Sequence, residues 1–155
     1  EHLSRPRDAL RRLGDVLKPE GTITVIEGDH GSVSFHPDSP SARKAIQCLI
    51  ELQARAGGDA LIGRALYPLL VASGFPLVEV SPRMVYVDSS RPQLVEGFTR
   101  NTFTAMVEGV RDRALASGLI DEATWDQGIR DLYRTGEPDG TFCYAFFKGV
   151  ARKRG

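Results

Sequence analysis

Five consecutive residues, Thr22-Ile23-Thr24-Val25-Ile26, are all branched at Cβ. Such a run is stiff at χ1 and fits a pleated strand better than a helix. It does not alternate cleanly between apolar and polar, which predicts a strand covered on both faces, as in a parallel α/β sheet. Ahead of it, Lys18-Pro19-Glu20-Gly21 suits a type I turn, with Pro19 setting φ at the second position and Gly21 at the fourth. Behind it, Glu27-Gly28-Asp29-His30-Gly31-Ser32 reads as a glycine-bounded polar loop. In open parallel sheets ligands bind outside the strand carboxyl ends, so a functional site is expected at this corner.

The flanking segments supply helices to cover such a sheet. Ser4 can cap a helix whose apolar positions Ala9, Leu10, Leu13, Val16 and Leu17 recur at helical spacing, with Pro6 in its first turn. Residues 33–40 have loop composition, and a second helix is expected over Ser41 to Ala56, ended by Gly57-Gly58. Asp59 caps a third, Ala60 to Ser73, with a kink or break at Pro68. Pro76 to Asp88 is extended, and Ser81-Pro82-Arg83 inside it argues for a bend or an edge. Ser89 or Ser90 with Pro92 opens the longest helix, to about Ala116, whose stripe holds Phe98, Thr102, Phe103, Met106 and Val110. Asp121 caps a helix over Glu122 to Arg134, and Thr141 to Ala151 is aromatic and strand-like. Three strand regions separated by about five helices make the chain α/β.

At 155 residues the chain reads as a single domain over 1–155, large enough to bury roughly two thirds of its unfolded surface. Lys plus Arg and Asp plus Glu number 20 each, so no global field recruits nucleic acid or an anionic membrane. Residues 152–155, beginning Arg152-Lys153-Arg154, read as a basic, solvated tail. Cys48 and Cys143 read as free thiols of a reducing compartment. No apolar run approaches the roughly 20 residues of a membrane span and no signal peptide is visible, so the expected location is cytoplasmic. Because the chain opens on Glu1 and not on methionine, residues upstream of it are expected.

Glu1-His2-Leu3, the helix after it and LKPEGTITVIEGDHGS together resemble the fourth-helix, fifth-strand segment of class I S-adenosylmethionine-dependent methyltransferases, of the kind that includes the ubiquinone and menaquinone biosynthesis enzymes. Those read roughly as EHL, a helix, L-x-P-G-G, an apolar strand and a polar substrate loop; Glu20 stands where that pattern has glycine. GRALYPLLVASGF resembles the family's G-R-x-L-x-x-L-L-x-x-x-G-F helix, which precedes the sixth strand. The resemblance implies a partial, Rossmann-like methyltransferase fold whose last strand, Thr141 to Ala151, runs antiparallel and inserts beside the fifth. It also implies S-adenosylmethionine as the cofactor of the complete fold and a small molecule as methyl acceptor. Glu27, Asp29 and His30 would line the acceptor side, and Glu1 and His2 would lie near the methyl donor. The acidic-Gly-x-Gly-x-Gly loop that holds the donor in that family is absent, which makes this chain the C-terminal half, inactive alone.

Methyl transfer from a sulfonium needs donor and acceptor held together and, for some acceptors, a base. His30, with Asp29 adjacent, is the candidate for that catalytic role; the plainer reading is a polar turn with Gly31 at positive φ. Glu27, Arg64 and Tyr67 are the candidate substrate-binding residues. For Arg64 a salt bridge is the favoured reading over a substrate carboxylate, and for each of Tyr67, Tyr86, Phe98 and Phe103 core packing is favoured over a place in an acceptor pocket. Three scattered histidines and two distant cysteines give no metal-ligand spacing. The alternative to an enzyme half is a non-enzymatic module that persists by pairing, as a homodimer exchanging strands or helices through an open sheet edge.

Overall fold

The computed structural model describes residues 1–155. Its first helix, α1 (Pro6–Val16), begins with proline at its first position, where a missing N–H costs nothing. Ser4 does not cap it: the flanking residue is Arg5, without a side-chain cap. The turn that follows is closed by Gly21 N–H donating to the Lys18 carbonyl at 2.9 Å, but Glu20 has φ of 62°. Positive φ at the third position makes this a type II and not a type I turn. Glycine would adopt that conformation without the Cβ penalty. Glu20→Gly is therefore expected to raise stability by about 0.5–1 kcal/mol in urea unfolding, after losing the Glu20–Arg152 ion pair at 2.8 Å.

The organising strand is longer than its sequence suggests. β1 (Thr22–His36) runs through the whole of the expected polar loop and the first half of the 33–40 loop. Nor is it covered on both faces: before Gly28 it alternates, with Ile23 and Val25 half-buried and Thr22, Thr24 and Ile26 exposed. The reason lies in the layers. α2 (Pro40–Arg55), α3 (Leu66–Ala72), β2 (Leu77–Asp88) and β3 (Thr141–Arg152) complete a sheet of order β1-β3-β2 in which β3 is antiparallel to both neighbours. β1 and β2 are thus the two edges. α1 and α3 cover one face through Leu10, Leu66, Leu70 and Phe75, against Ile23, Val25, Val78 and Ala151. The other face is covered only near the carboxyl end of β1, by α2 and the C-terminal helices, around Val33, Phe35, Val87, Phe142 and Tyr144. The α/β class and the reversed last strand inserted between the other two agree with the arrangement expected from the resemblance.

Local chemistry explains the remaining elements. Ser39 caps α2 by accepting from Ala42 N–H, and Asp121 caps α7 (Glu122–Arg134) by accepting from Thr124 N–H. The helix expected over 60–73 breaks ahead of Pro68: Ile62–Ala65 is a 3₁₀ turn, and α3 starts at Leu66, which places the proline in the first turn. Pro82 sits within β2, an edge strand, where its missing donor is tolerated. The single long helix expected to Ala116 is divided. α4 (Pro92–Leu94), a π-helical stretch (Val95–Thr104) and α5 (Ala105–Glu108) form one rod, and α6 (Arg111–Ala116) is separate. The π-helical widening has a packing cause. Phe98 and Phe103, five residues apart, would diverge by about 140° on an α-helix, yet both rings pack on Tyr144, with centroids 5.7 and 5.6 Å away.

The basic end is not a free tail over 152–155. Arg152 lies in β3, and Lys153 N–H donates to the Gly21 carbonyl at 2.9 Å. Lys153 Nζ donates to the Leu17 carbonyl at 2.9 Å, a cation at the C-terminus of α1. By contrast, Leu3, Leu13, Val16 and Ile26 stay 58, 48, 79 and 58% exposed, so the outer edge of β1 and the outer face of α1 have no partner. No helix is long and apolar enough to cross a membrane.

Candidate functional site

The stretch read as a loop is a wide bulge inside β1. Between Asp29 and Ser34 β1 advances five residues while β3 advances two, from Ala145 to Cys143. Ser32 holds the excess in place: its hydroxyl donates to the Asp29 carbonyl at 2.6 Å and accepts from Ala145 N–H at 3.0 Å. His30 N–H leaves the ladder and donates to the Ala60 carbonyl at 2.9 Å. Bulges re-aim side chains beside functional sites, and this one buries both Asp29 and His30 to 3% exposure. Gly31 does not have positive φ; a Cβ there would press on the ends of the Arg64 and Leu61 side chains, which would have to shift.

His30 and Asp29 face different partners. The Asp29 carboxylate is gripped bidentately by Arg64, with Nε–Oδ2 2.7 Å and Nη2–Oδ1 2.8 Å, and accepts from Gly31 N–H at 3.0 Å. His30 Nδ1 lies 2.7 Å from the Tyr144 hydroxyl. His30 Nε2 is buried without a hydrogen-bond partner, 3.8 Å from the Glu1 carboxylate. It forms part of the wall of a crevice of about 270 Å³. Glu1, Glu27 and Thr102 are polar neighbours in that wall, and Phe98, Phe103, Met106, Phe146 and Ile26 supply its apolar part. Burial lowers the His30 pKa from its ordinary value, with the Glu1 and Asp29 carboxylates pulling the other way. Burial likewise pushes the Tyr144 phenol well up, so it stays protonated. In the tautomer with the proton on Nδ1, the ring donates to the phenol oxygen and Nε2 presents a lone pair to the crevice.

Gly28 is what lets Tyr144 reach this histidine. A Cβ at position 28 would collide with the Tyr144 hydroxyl. Gly28→Ala is expected to cost about 1–3 kcal/mol by overpacking. Adding Tyr144→Phe, which removes the colliding oxygen, is expected to recover most of that in a urea double-mutant cycle.

The candidates from sequence are thus only partly brought together. His30, Glu27 and Glu1 share the crevice with Phe98 and Phe103. Glu1 is fixed there by its amino nitrogen on Glu27 Oε2 at 3.0 Å and by its carbonyl, which accepts from Asp59 N–H at 2.8 Å. Arg64 is turned onto Asp29, Tyr67 is 54% and Tyr86 46% exposed, and none of the three lines the crevice. His2 is mostly exposed and pairs with Glu1 at 3.0 Å. Tyr144 and Phe146 were not singled out from sequence. Their signal was the period-2 pattern Phe142-x-Tyr144-x-Phe146, which places three rings on one face of β3.

A donor nucleoside cradle of the glycine-rich kind would sit at a strand-to-helix turn. The residues here do not fit it: β1 passes to α2 through Pro37-Asp38-Ser39 and β2 to α4 through Ser89-Ser90-Arg91. The three glycines with positive φ, Gly57, Gly74 and Gly118, all follow helices.

No family model matches the chain. An uncharacterised 37.1 kDa protein in transposon TN4556 of Streptomyces fradiae is 31% identical over 111 residues, 70% of this chain and 31% of that protein. Among solved structures, the Haemonchus contortus phospholethanolamine N-methyltransferase 2, in complex with phosphomonomethylethanolamine and S-adenosylhomocysteine, overlaps 99% of this chain and 31% of its own at a TM-score of 0.45 and 15% identity. The chain therefore spans about a third of the length of each.

Proposed function

We propose that this chain is the acceptor-side half of an S-adenosylmethionine-dependent methyltransferase that acts on a small molecule. The observation that carries the reading is the unpartnered Nε2 of buried His30, set in the wall of an aromatic crevice beside the open edge of β1. An acceptor O–H or N–H seated there would give its proton to Nε2, with the Tyr144 hydroxyl holding the ring through Nδ1. Asp29 and Arg64 hold the bulge that aims the histidine, and Glu1 and Glu27 close the mouth of the crevice. The donor side belongs to residues outside this chain, which would also cover Ile26, Leu13 and Val16. Free Cys48 and Cys143 suit a cytoplasmic setting.

A calorimetric titration with S-adenosylmethionine tests this. The 155-residue chain alone is expected to show no binding, and a protein extended upstream of Glu1 is expected to bind the donor. Failure of the extended protein to bind would remove the reading. The uncovered β1 edge also favours pairing of two copies. Sedimentation of the same samples decides that second reading, since a monomer at micromolar concentration leaves it without support.

A further inference from the structure

The crevice has a sign. Two carboxylates, Glu1 and Glu27, line it against one cation, the Glu1 amino terminus, which sits on Glu27 Oε2 at 3.0 Å. Arg64, within the 3₁₀ turn Ile62–Ala65, is committed to Asp29 by two hydrogen bonds. Lys148, on the same face of β3 as Tyr144 and Phe146, stands outside the lining. With the amino terminus closed onto Glu27, the Glu1 carboxylate carries the remaining charge: its Oε1 meets the exposed His2 Nε2 at 3.0 Å and its Oε2 faces His30 Nε2 across 3.8 Å. His30 itself is 3% exposed and neutral near pH 7, because burial holds its pKa below the ordinary value.

Resting on the acceptor-crevice reading, we infer that the crevice selects an amine: a ligand with an ammonium group on an aromatic or other apolar body. The gap between the Glu1 carboxylate and the unpartnered Nε2 suits a group with several N–H donors, one for the oxygen and one for the ring nitrogen. An ammonium satisfies both and neutralises the carboxylate. A hydroxyl has one hydrogen and can donate to only one of them. A carboxylate or phosphate at the same place has no donor and meets like charge in a low-dielectric wall. The rings of Phe98, Phe103 and Phe146 take the body of the ligand, with the polar end directed to His30.

Three isosteric probes test the inference on the 155-residue chain: tryptamine, its neutral alcohol tryptophol, and indole-3-acetate. Each is titrated at pH 7.5 while the His30 ring nitrogens are followed by NMR. Tryptamine is expected to bind about ten-fold more tightly than tryptophol, with indole-3-acetate weaker than both, and to shift the His30 Nε2 signal. Replacing both carboxylates, Glu1→Ala with Glu27→Gln, is expected to bring tryptamine down to the affinity of tryptophol. Tryptophol or indole-3-acetate binding as tightly as tryptamine overturns the preference for an amine and leaves the acceptor crevice standing. Absence of binding by all three overturns the crevice as an acceptor site, and the amine inference with it. The wild-type comparison needs no variant, so a misfolded double replacement would not obscure the result.

Discussion

On the proposed reading of the crevice as a methyl-acceptor site, replacing His30 with alanine is expected to slow methyl transfer by the upstream-extended protein about 10²- to 10⁴-fold, the range a positioned general base contributes. The direction of the His30 pKa gives the sign of the pH dependence. Burial disfavours the imidazolium more than the Glu1 and Asp29 carboxylates favour it, so the ring titrates below its reference value of about 6.5. The wild-type rate should therefore hold from neutral pH down past about 6.5 and fall only as the ring takes up its proton. In the alanine variant that acid limb should vanish, leaving a low rate that does not change across the same interval. Tyr144→Phe should keep the limb and lose less rate, because Nδ1 then lacks its partner at 2.7 Å while Nε2 still faces the crevice. The same shift acts on stability with the same sign. The folded state prefers the neutral ring, so the contribution is complete above the unfolded pKa of about 6.5 and is lost as pH falls through the folded value. An unchanged acid limb in the His30 variant would assign the titration to another group and take the base role from this residue.

Where sequence reading succeeded, the signals were local. Asp59 and Asp121 act on backbone N–H groups two or three residues on, and the glycines after α2, α3 and α6 stop their helices, so each of these boundaries was encoded within a turn of the residue that sets it. Pro82 announced an edge strand because the ladder has no place for it elsewhere. The crevice lies at the corner where a site was expected for a reason that does not depend on its exact form: Glu27 to His30 follow a β-branched run whichever way the backbone continues. What could not be read was every feature set by a distant partner. Whether residues 27–32 form a loop or a bulge depends on β3 arriving antiparallel beside them, with Ser32 bonding Ala145 across a separation of 113 residues. Tyr144 became the histidine's partner only because Gly28 left room for its hydroxyl, a pairing with no trace in either segment alone. The exposure of Leu13, Val16 and Ile26 belongs to the same class: their apolar character was legible, and nothing in either segment alone says that they stay uncovered.

The Asp29–Arg64 pair gives the other large expectation, and its value lies in asymmetry. Arg64→Ala should destabilise the fold by about 3 kcal/mol, whereas Asp29→Asn should cost nearer 1 kcal/mol. The two partners occupy different environments: the Asp29 side chain is 4% exposed and that of Arg64 51%. Removing the arginine strands a carboxylate in the interior with the Gly31 N–H as its remaining donor. Removing the carboxylate's charge strands nothing, because the guanidinium can turn to water and the asparagine oxygen still accepts from Gly31. The double variant should lie close to Asp29→Asn alone, since without the buried charge the arginine has little left to neutralise. Urea unfolding midpoints for the three variants measure this directly. Equal costs for the two single changes, each below about 1 kcal/mol, would mean that the pair behaves as an ordinary surface salt bridge. In that case the bulge must owe its shape to Ser32 and the Ala60 carbonyl alone, and Arg64 would again be free to meet an acceptor.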